Sequence, residues 1–174
     1  MEQKIRGGTS LTDHALTAGE ALLTHWQVKS DYRWDAGAAL SRFLEGLKHG
    51  QILGIHCPQC RRTLVPPRVF CERCFRPLEQ WVPLYDTGKL ITYSVSYVNW
   101  DATRRRTPEI PAVIELDGAS PGIGILHLLG EAGGSLSEIT ARLGAGTPVQ
   151  AVWKPAAERE GAITDIRYFR PVGG

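Results

Sequence analysis

The chain has 174 residues and is 43% hydrophobic, which is enough for a packed core and excludes a chain disordered by composition. Its 20 basic residues (Lys and Arg) against 18 acidic ones leave a formal charge of +2, too balanced to indicate a nucleic-acid-binding protein. No apolar run has the length of a membrane span, and no repeat of fixed period occurs.

The first 50 residues predict two helices. Apolar residues recur at helical spacing after Ser10, the expected N-cap of the first helix, and continue to Trp26. A second helix is expected to begin at Asp35 and to end at Gly50. Two such helices have too little surface to form a core alone.

Aromatic residues accompany these helices at Trp26, Trp34 and Phe43. An apolar helical face of this kind must be covered by something. It packs either on the later parts of the same chain or on a partner protein, because large apolar faces on small proteins often mark interfaces.

The four cysteines of the chain follow in two Cys-x-x-Cys pairs, Cys57 with Cys60 and Cys71 with Cys74, separated by ten residues. Two such turns, brought face to face, give a tetrahedral shell of four thiolates. This set favours zinc or iron, and zinc is preferred because a structural role needs no redox chemistry. The short gap predicts a small ribbon of the rubredoxin type.

These cysteines have two alternative uses. Two disulfides, or one redox pair, would need the same residues. No signal peptide at the start places the chain in an oxidising compartment, so a cytoplasmic location is expected. A redox pair would also leave the second pair unexplained.

Basic residues crowd the ribbon, with Glu72 as the only acid between residues 57 and 76. They either offset the formal charge of −2 on a zinc ion with four thiolates or form an anion site for a phosphate-bearing ligand or a nucleic acid. The arginines are Arg61, Arg62, Arg68, Arg73 and Arg76.

From Leu78 onward the pattern changes to strands. Strands are predicted at residues 89–98, 110–116, 122–129, 148–155 and 163–170, with a polar loop at 99–109 and a helix at 135–143. In the first strand, Ile91, Tyr93, Val95 and Tyr97 are expected to share one face. Three strands, a helix and two strands is the order of the OB-fold, although periodicity alone leaves another small barrel open.

The chain resembles the DUF35 family of zinc-ribbon OB-fold acyl-CoA-associated proteins over about residues 35–172. The resemblance lies in the order of its parts, which are leading helices, a four-cysteine ribbon and a barrel. The matching segments are 43–47, 50–53, 57–60, 66–68, 71–74, 88–94, 111–116 and 146–149. We therefore expect an α+β, mainly β chain with an N-terminal helical segment (1–50), a rubredoxin-like zinc ribbon (51–84) and a C-terminal OB-fold barrel (85–174). Residues 61 and 75, after the second cysteine of each pair, depart from the glycine often found there.

The resemblance implies a zinc-containing accessory subunit of a thiolase-type acyl-CoA complex, which carries out thiolysis or condensation. It also allows a partner subunit of a thiolase-fold aldolase. The implied cofactors are structural Zn²⁺ and coenzyme A or acyl-CoA shared with the partner. We expect two copies of each subunit, because a thiolase dimer offers the same dock on each protomer.

The residues favour the same interpretation independently. Thiolase chemistry needs a nucleophilic cysteine and a basic histidine. All four cysteines are assigned to metal, and the five histidines form no recognisable pair with an acid, so no catalysis is expected from this chain alone.

Arg104, Arg105 and Arg106 suit the phosphates of CoA, although a solvated loop is the alternative. A competing class is a single-stranded nucleic-acid module, with Tyr93, Tyr97 and Trp100 beside these arginines. The near-neutral charge argues against that class. A third hypothesis is that the chain is a pure scaffold protein that contacts no ligand.

The dock for the partner is predicted on the leading helices and the ribbon, with Trp26, Trp34 and Phe43 as anchors.

Overall fold

The structure, a computed structural model, describes residues 12–20 and 32–173, and the chain divides into two units, Met1–Trp34 and Asp35–Gly174. In the first unit, helix α1 spans Asp13–Thr17. Its N-cap is Thr12, whose hydroxyl accepts a hydrogen bond from the Ala15 N–H at 3.2 Å. The predicted cap Ser10 and the predicted anchor Trp26 lie outside the described residues.

The second unit contains two helices, ten strands and two short 3₁₀ turns. In chain order they are α2 (Gly37–Lys48), β1 (Ile52–Cys57), β2 (Arg62–Leu64), β3 (Gln80–Leu84), β4 (Thr87–Tyr93), β5 (Ser96–Val98), β6 (Arg104–Glu109), β7 (Pro111–Leu116), β8 (Ile125–Leu128), α3 (Leu136–Arg142), β9 (Pro148–Trp153), the turns Ala156–Glu158 and Ile163–Asp165, and β10 (Ile166–Pro171). Among the described residues, no helix has the length and apolar character needed to cross a bilayer.

Helix α2 packs on its own chain. Asp35 accepts a hydrogen bond from the Gly37 N–H at 2.7 Å at the start, and Gly50 follows the end with φ of 75°. Phe43, only 2% exposed, joins the main hydrophobic core together with Leu47. The prediction that Phe43 anchors a partner is therefore wrong, because the core of the second unit already buries its ring.

The ribbon is a three-stranded antiparallel sheet in the order β2-β1-β3. Ile55 of β1 lies opposite Leu64 of β2 on one side and Trp81 of β3 on the other. A small separate core, formed by Ile55, Leu64, Leu78 and two of the cysteines, fills it. This core is too small to stabilise a fold without a further cross-link.

The remaining strands form the barrel, in the order β10-β9-β4-β7-β8. A parallel bridge between Leu129 and Phe169 joins the two ends, where the Gly130 N–H donates to the Phe169 carbonyl at 2.9 Å. The core cluster inside is aliphatic apart from Phe43 and Phe169, and includes Leu90, Ile114 and Ile139. The predicted OB-fold is confirmed.

Two details of the barrel differ from the prediction. Residues 99–109 are not simply a polar loop, because β6 within this range pairs with β5 and the two form a separate two-stranded sheet. We call residues 96–109 the arm. In β4, the register shifts between Leu90 and Thr92, so that Leu90 is buried and Ile91 is exposed. The predicted common face therefore fails at the bulge, which reverses the alternation of side chains.

Gly88 is buried where β4 passes closest to β7, and a Cβ atom there would overlap the backbone carbonyl oxygen of Glu115. We expect Gly88→Ala to lower the free energy of unfolding by about 2 kcal/mol or more, because backbone must move to relieve the overlap. Urea denaturation measures the change. Gly144→Ala is the matched control: no atom lies within 4 Å of a Cβ there. Its stability should change by about 0.5 kcal/mol at most, and equal effects of the two variants would contradict the prediction.

Candidate functional site

The sulfur atoms of Cys57, Cys60, Cys71 and Cys74 converge, all within 4.8 Å of one another. The Cys57 and Cys74 sulfurs are 3.6 Å apart, and those of Cys60 and Cys71 are 3.8 Å apart. All four thiols are free of disulfides. Four sulfurs at a Zn–S distance of about 2.3 Å would lie about 3.8 Å from one another in a tetrahedron, so the set fits one zinc ion.

Two tight turns position these sulfurs. Cys57 ends β1 and its sulfur accepts the Cys60 N–H at 3.4 Å. In the second turn, the Phe75 N–H donates to the Cys71 carbonyl at 2.8 Å. Arg61 and Phe75, where glycine is common, adopt φ of 51° and 55°. The left-handed backbone is therefore kept without glycine, at a cost of about 1–2 kcal/mol per residue.

Hydrogen bonds shift the pKa values of Cys71 and Cys60 in opposite directions. N–H groups of Cys74 and Arg73 donate to Cys71 and lower its pKa to about 6. A hydrogen bond with Cys74, followed by burial, raises the pKa of Cys60 to about 12. A cation bound to four thiolates must displace the remaining protons, so metal binding here is expected to release protons and to weaken in acid.

An ion pair ties the two turns together. Arg62, just after the first turn, donates to Glu72 of the second turn at 2.6 Å, and Arg68 lies 3.3 Å from the same carboxylate. The backbone N–H of Glu72, and after it the hydrogen bond from Arg62, hold the pKa of the Glu72 carboxyl below its usual value. Two of the five ribbon arginines are therefore paired, which reduces the charge available for an anion site.

The three arginines predicted to contact CoA lie on β6, and their environments differ. Arg105 donates to Glu109 at 2.8 Å and to Asn99 at 2.9 Å, so its charge is already paired. Arg104 and Arg106 are exposed on the same strand. The three arginines therefore lie on one strand, but Arg105 is engaged in contacts within the chain, whereas Arg104 and Arg106 are exposed.

Comparison with known proteins identifies the family. Residues 44–79 match the model described as the rubredoxin-like zinc ribbon domain of ChsH2, and residues 81–154 match its C-terminal OB-fold domain. A DUF35 domain-containing scaffold protein of Methanocaldococcus jannaschii is 33% identical over 67 residues, which are 38% of this chain and 48% of that protein. The chain belongs to the DUF35 family. It spans about half the length of this curated relative.

Solved structures of DUF35 proteins share the fold. A DUF35 protein of unknown function from Sulfolobus solfataricus is 25% identical, with a TM-score of 0.52 over 67% of this chain and 78% of that one. An Ltp2-ChsH2(DUF35) aldolase chain is 19% identical, with a TM-score of 0.52 over 82% of this chain and 98% of that one. The second likeness concerns the fold alone.

One histidine of this DUF35 chain does pair with an acid, contrary to the prediction. The ring of His49, the residue after α2, lies 2.9 Å from Glu45 of α2, and both side chains are mostly exposed. The spacing is i, i+4, that of an ordinary pair on a helix surface. His127 instead bonds the Ile163 carbonyl at 3.2 Å and meets the Phe169 ring edge-on, so it supports the barrel.

Two surface features were not predicted from the sequence. Trp100 is 99% exposed at the tip of the arm, whereas Tyr93, grouped with it as a stacking residue, bonds the Leu143 carbonyl and packs on the core. The outer face of β7 and β8 is aliphatic apart from Glu115, which pairs with Lys89. The alternation of Leu126 and Leu128 around His127 was the available signal for that face.

Proposed function

We propose that this DUF35 chain is an accessory subunit of a thiolase-fold enzyme that acts on acyl-CoA, with one structural zinc ion held by Cys57, Cys60, Cys71 and Cys74. The convergence of four sulfurs at tetrahedral spacing carries the proposal. Four protein ligands leave no open coordination position, which is typical of structural zinc. The comparisons support the accessory role, since one relative is a scaffold protein and one structural neighbour is part of an aldolase.

The role of the metal is to hold the ribbon. Bound zinc would supply a cross-link between the turn that follows β1 and the turn that precedes β3. The ion pair between Arg62 and Glu72 supports the same junction. Free thiols that serve a metal suit a reducing compartment, and we place the chain in the cytoplasm.

Coenzyme A or acyl-CoA would be shared with the partner. Arg104 and Arg106 are the exposed candidates for its phosphates, because Arg105 is engaged by Glu109. The partner is either a thiolase or a thiolase-fold aldolase. A dimeric partner would bind two copies of this chain.

Co-expression tests this proposal. The chain is expressed together with the thiolase-fold protein encoded nearest to its own gene, and light scattering gives the mass of the purified complex. We expect two copies of each subunit, turnover of acyl-CoA by the complex and none by the isolated chain. Turnover by the pure isolated chain, or failure of the two proteins to bind, would refute the accessory role.

A further inference from the structure

The arm presents a large aromatic side chain without cover. Its two strands pair only with each other, between β4 and β7 of the barrel. Trp100, in the turn that joins them, is 99% exposed. Tryptophan is enriched among the few residues that together carry most of the binding energy at protein interfaces.

Side-chain hydrogen bonds fix the turn that carries Trp100. Asp101 accepts the Thr103 N–H at 3.0 Å and the Thr103 hydroxyl at 2.6 Å, and Asn99 donates to the Thr103 hydroxyl at 2.9 Å. Arg105 links Asn99 to Glu109 at the base of the arm. The turn is therefore organised before any partner binds, which lowers the entropy cost of inserting Trp100 into a pocket.

The barrel face beside the arm is apolar where polar residues are expected. Val113 of β7 lies opposite Leu126 of β8, which is 70% exposed, and Pro111 lies opposite Leu128. A sheet with one buried face normally carries polar residues on the other. An aliphatic patch on the outer face indicates contact with another apolar surface.

A shallow groove of about 330 Å³ connects this face to the arm. Glu109, the last residue of β6, lines it together with Leu126, Ile163 and Arg167. The base of the arm therefore adjoins the outer face of β7 and β8. Together they correspond to the second and third barrel strands and the loop between strands one and two, which OB-folds use for ligands.

The chemistry of this surface selects a protein as its occupant. Single-stranded nucleic acids need aromatic platforms in a basic groove, whereas the outer positions of β7 and β8 are aliphatic apart from Glu115, which is paired with Lys89, and Asp101 adjoins Trp100. Within the described part of the chain, Arg104 and Arg106 form no ion pair, so they are available to carboxylates. An apolar pocket with an acidic rim is complementary to this arrangement.

We propose that the arm and the outer face of β7 and β8 form the dock for the thiolase-fold subunit, with Trp100 inserted in an apolar pocket rimmed by aspartate or glutamate. This inference rests on the proposed function and moves the main anchor from the leading helices to the barrel. Stable interfaces of this kind bury about 1,600 Å². The arm alone is too small to supply this area, so the outer face of β7 and β8 must contribute to the interface.

The test compares two exposed tryptophans in the full-length chain. Affinity for the thiolase-fold protein encoded nearest to the gene is measured by calorimetry with Trp100→Ala and with Trp34→Ala, whose side chain is 85% exposed in the other unit. We expect Trp100→Ala to weaken binding about 30-fold or more, and Trp34→Ala about threefold or less. Both variants should melt as the wild type does, because neither ring is buried.

The outcomes separate this inference from the proposed function. If the wild type binds and Trp100→Ala binds equally well, the dock is wrong while the accessory role stands. If the wild type does not bind, the accessory role fails and the dock fails with it. The dock would also be overturned if Trp100→Ala kept its affinity for the partner but lost affinity for a dT oligonucleotide, for CoA or for a second copy of the chain.

Discussion

Cys71→Ser is expected to unfold the ribbon. The ribbon core contains only three aliphatic side chains besides the cysteines, Ile55, Leu64 and Leu78, so little else stabilises the junction of its two turns. Structural zinc contributes on the order of 10 kcal/mol to the folding of a small site, and loss of one thiolate forfeits much of that. Elemental analysis should find one zinc per wild-type chain and less than about a tenth of that in the variant.

Chelation provides the control for this prediction. A strong chelator should lower the melting temperature of the wild type and leave the Cys71→Ser variant unchanged, since the variant has no complete site to lose. Wild-type protein that contains neither zinc nor iron, yet melts at the same temperature with and without chelator, would contradict the proposed metal centre.

Local signals carried most of what the sequence predicted correctly. The cysteine spacing predicted the ribbon, because two Cys-x-x-Cys turns can satisfy one ion only when they face each other. Helix α3 lies within the predicted range 135–143, and in the structure Ser135 caps it while Glu138 completes a capping box. The order of strands and helix then predicted the barrel, since few topologies accommodate it.

The failures concern contacts between distant parts of the chain. The apolar stripe of α2 showed that Phe43 must be covered, but periodicity cannot tell a cover within the chain from a partner. The arm was missed because its pairing involves charged residues and a side-chain network centred on Asn99 and Arg105, without apolar alternation. The bulge at Ile91 depends on the register with β7, which no local pattern specifies.

Asp165 is a further residue that the sequence did not single out, and it is expected to be essential for stability. It falls in the predicted strand 163–170, where an aspartate is unremarkable by pattern. In the structure its side chain is 0% exposed. Its carboxylate accepts three backbone N–H groups, at 3.1 Å from Glu160, 2.7 Å from Gly161 and 3.1 Å from Ala162. These bonds fix the loop between β9 and β10.

The charge state of Asp165 links this loop to pH. Burial alone would raise its pKa, but the N–H donors of residues 160–162 and the nearby Lys154 outweigh burial and hold the pKa below its usual value of 3.8. A carboxyl whose pKa is lower in the folded state stabilises the fold above its unfolded pKa and loses that contribution as pH falls through the folded one. Acid unfolding below about pH 4 should therefore depend partly on Asp165.

Asp165→Ala is expected to lower the free energy of unfolding at neutral pH by about 4 kcal/mol, because three buried donors lose their acceptor together. Asp117→Asn, at an exposed aspartate bonded to Thr87, should change it by about 0.5 kcal/mol at most. Urea denaturation at pH 7 and pH 3.5 measures both, and the difference between wild type and Asp165→Ala should shrink at the lower pH. A difference that is unchanged or larger at pH 3.5 would show that the carboxylate is not what holds the loop. Because Gly161 of this loop lies against Leu44 of α2, the same variant should also loosen α2, detectable as faster amide exchange there.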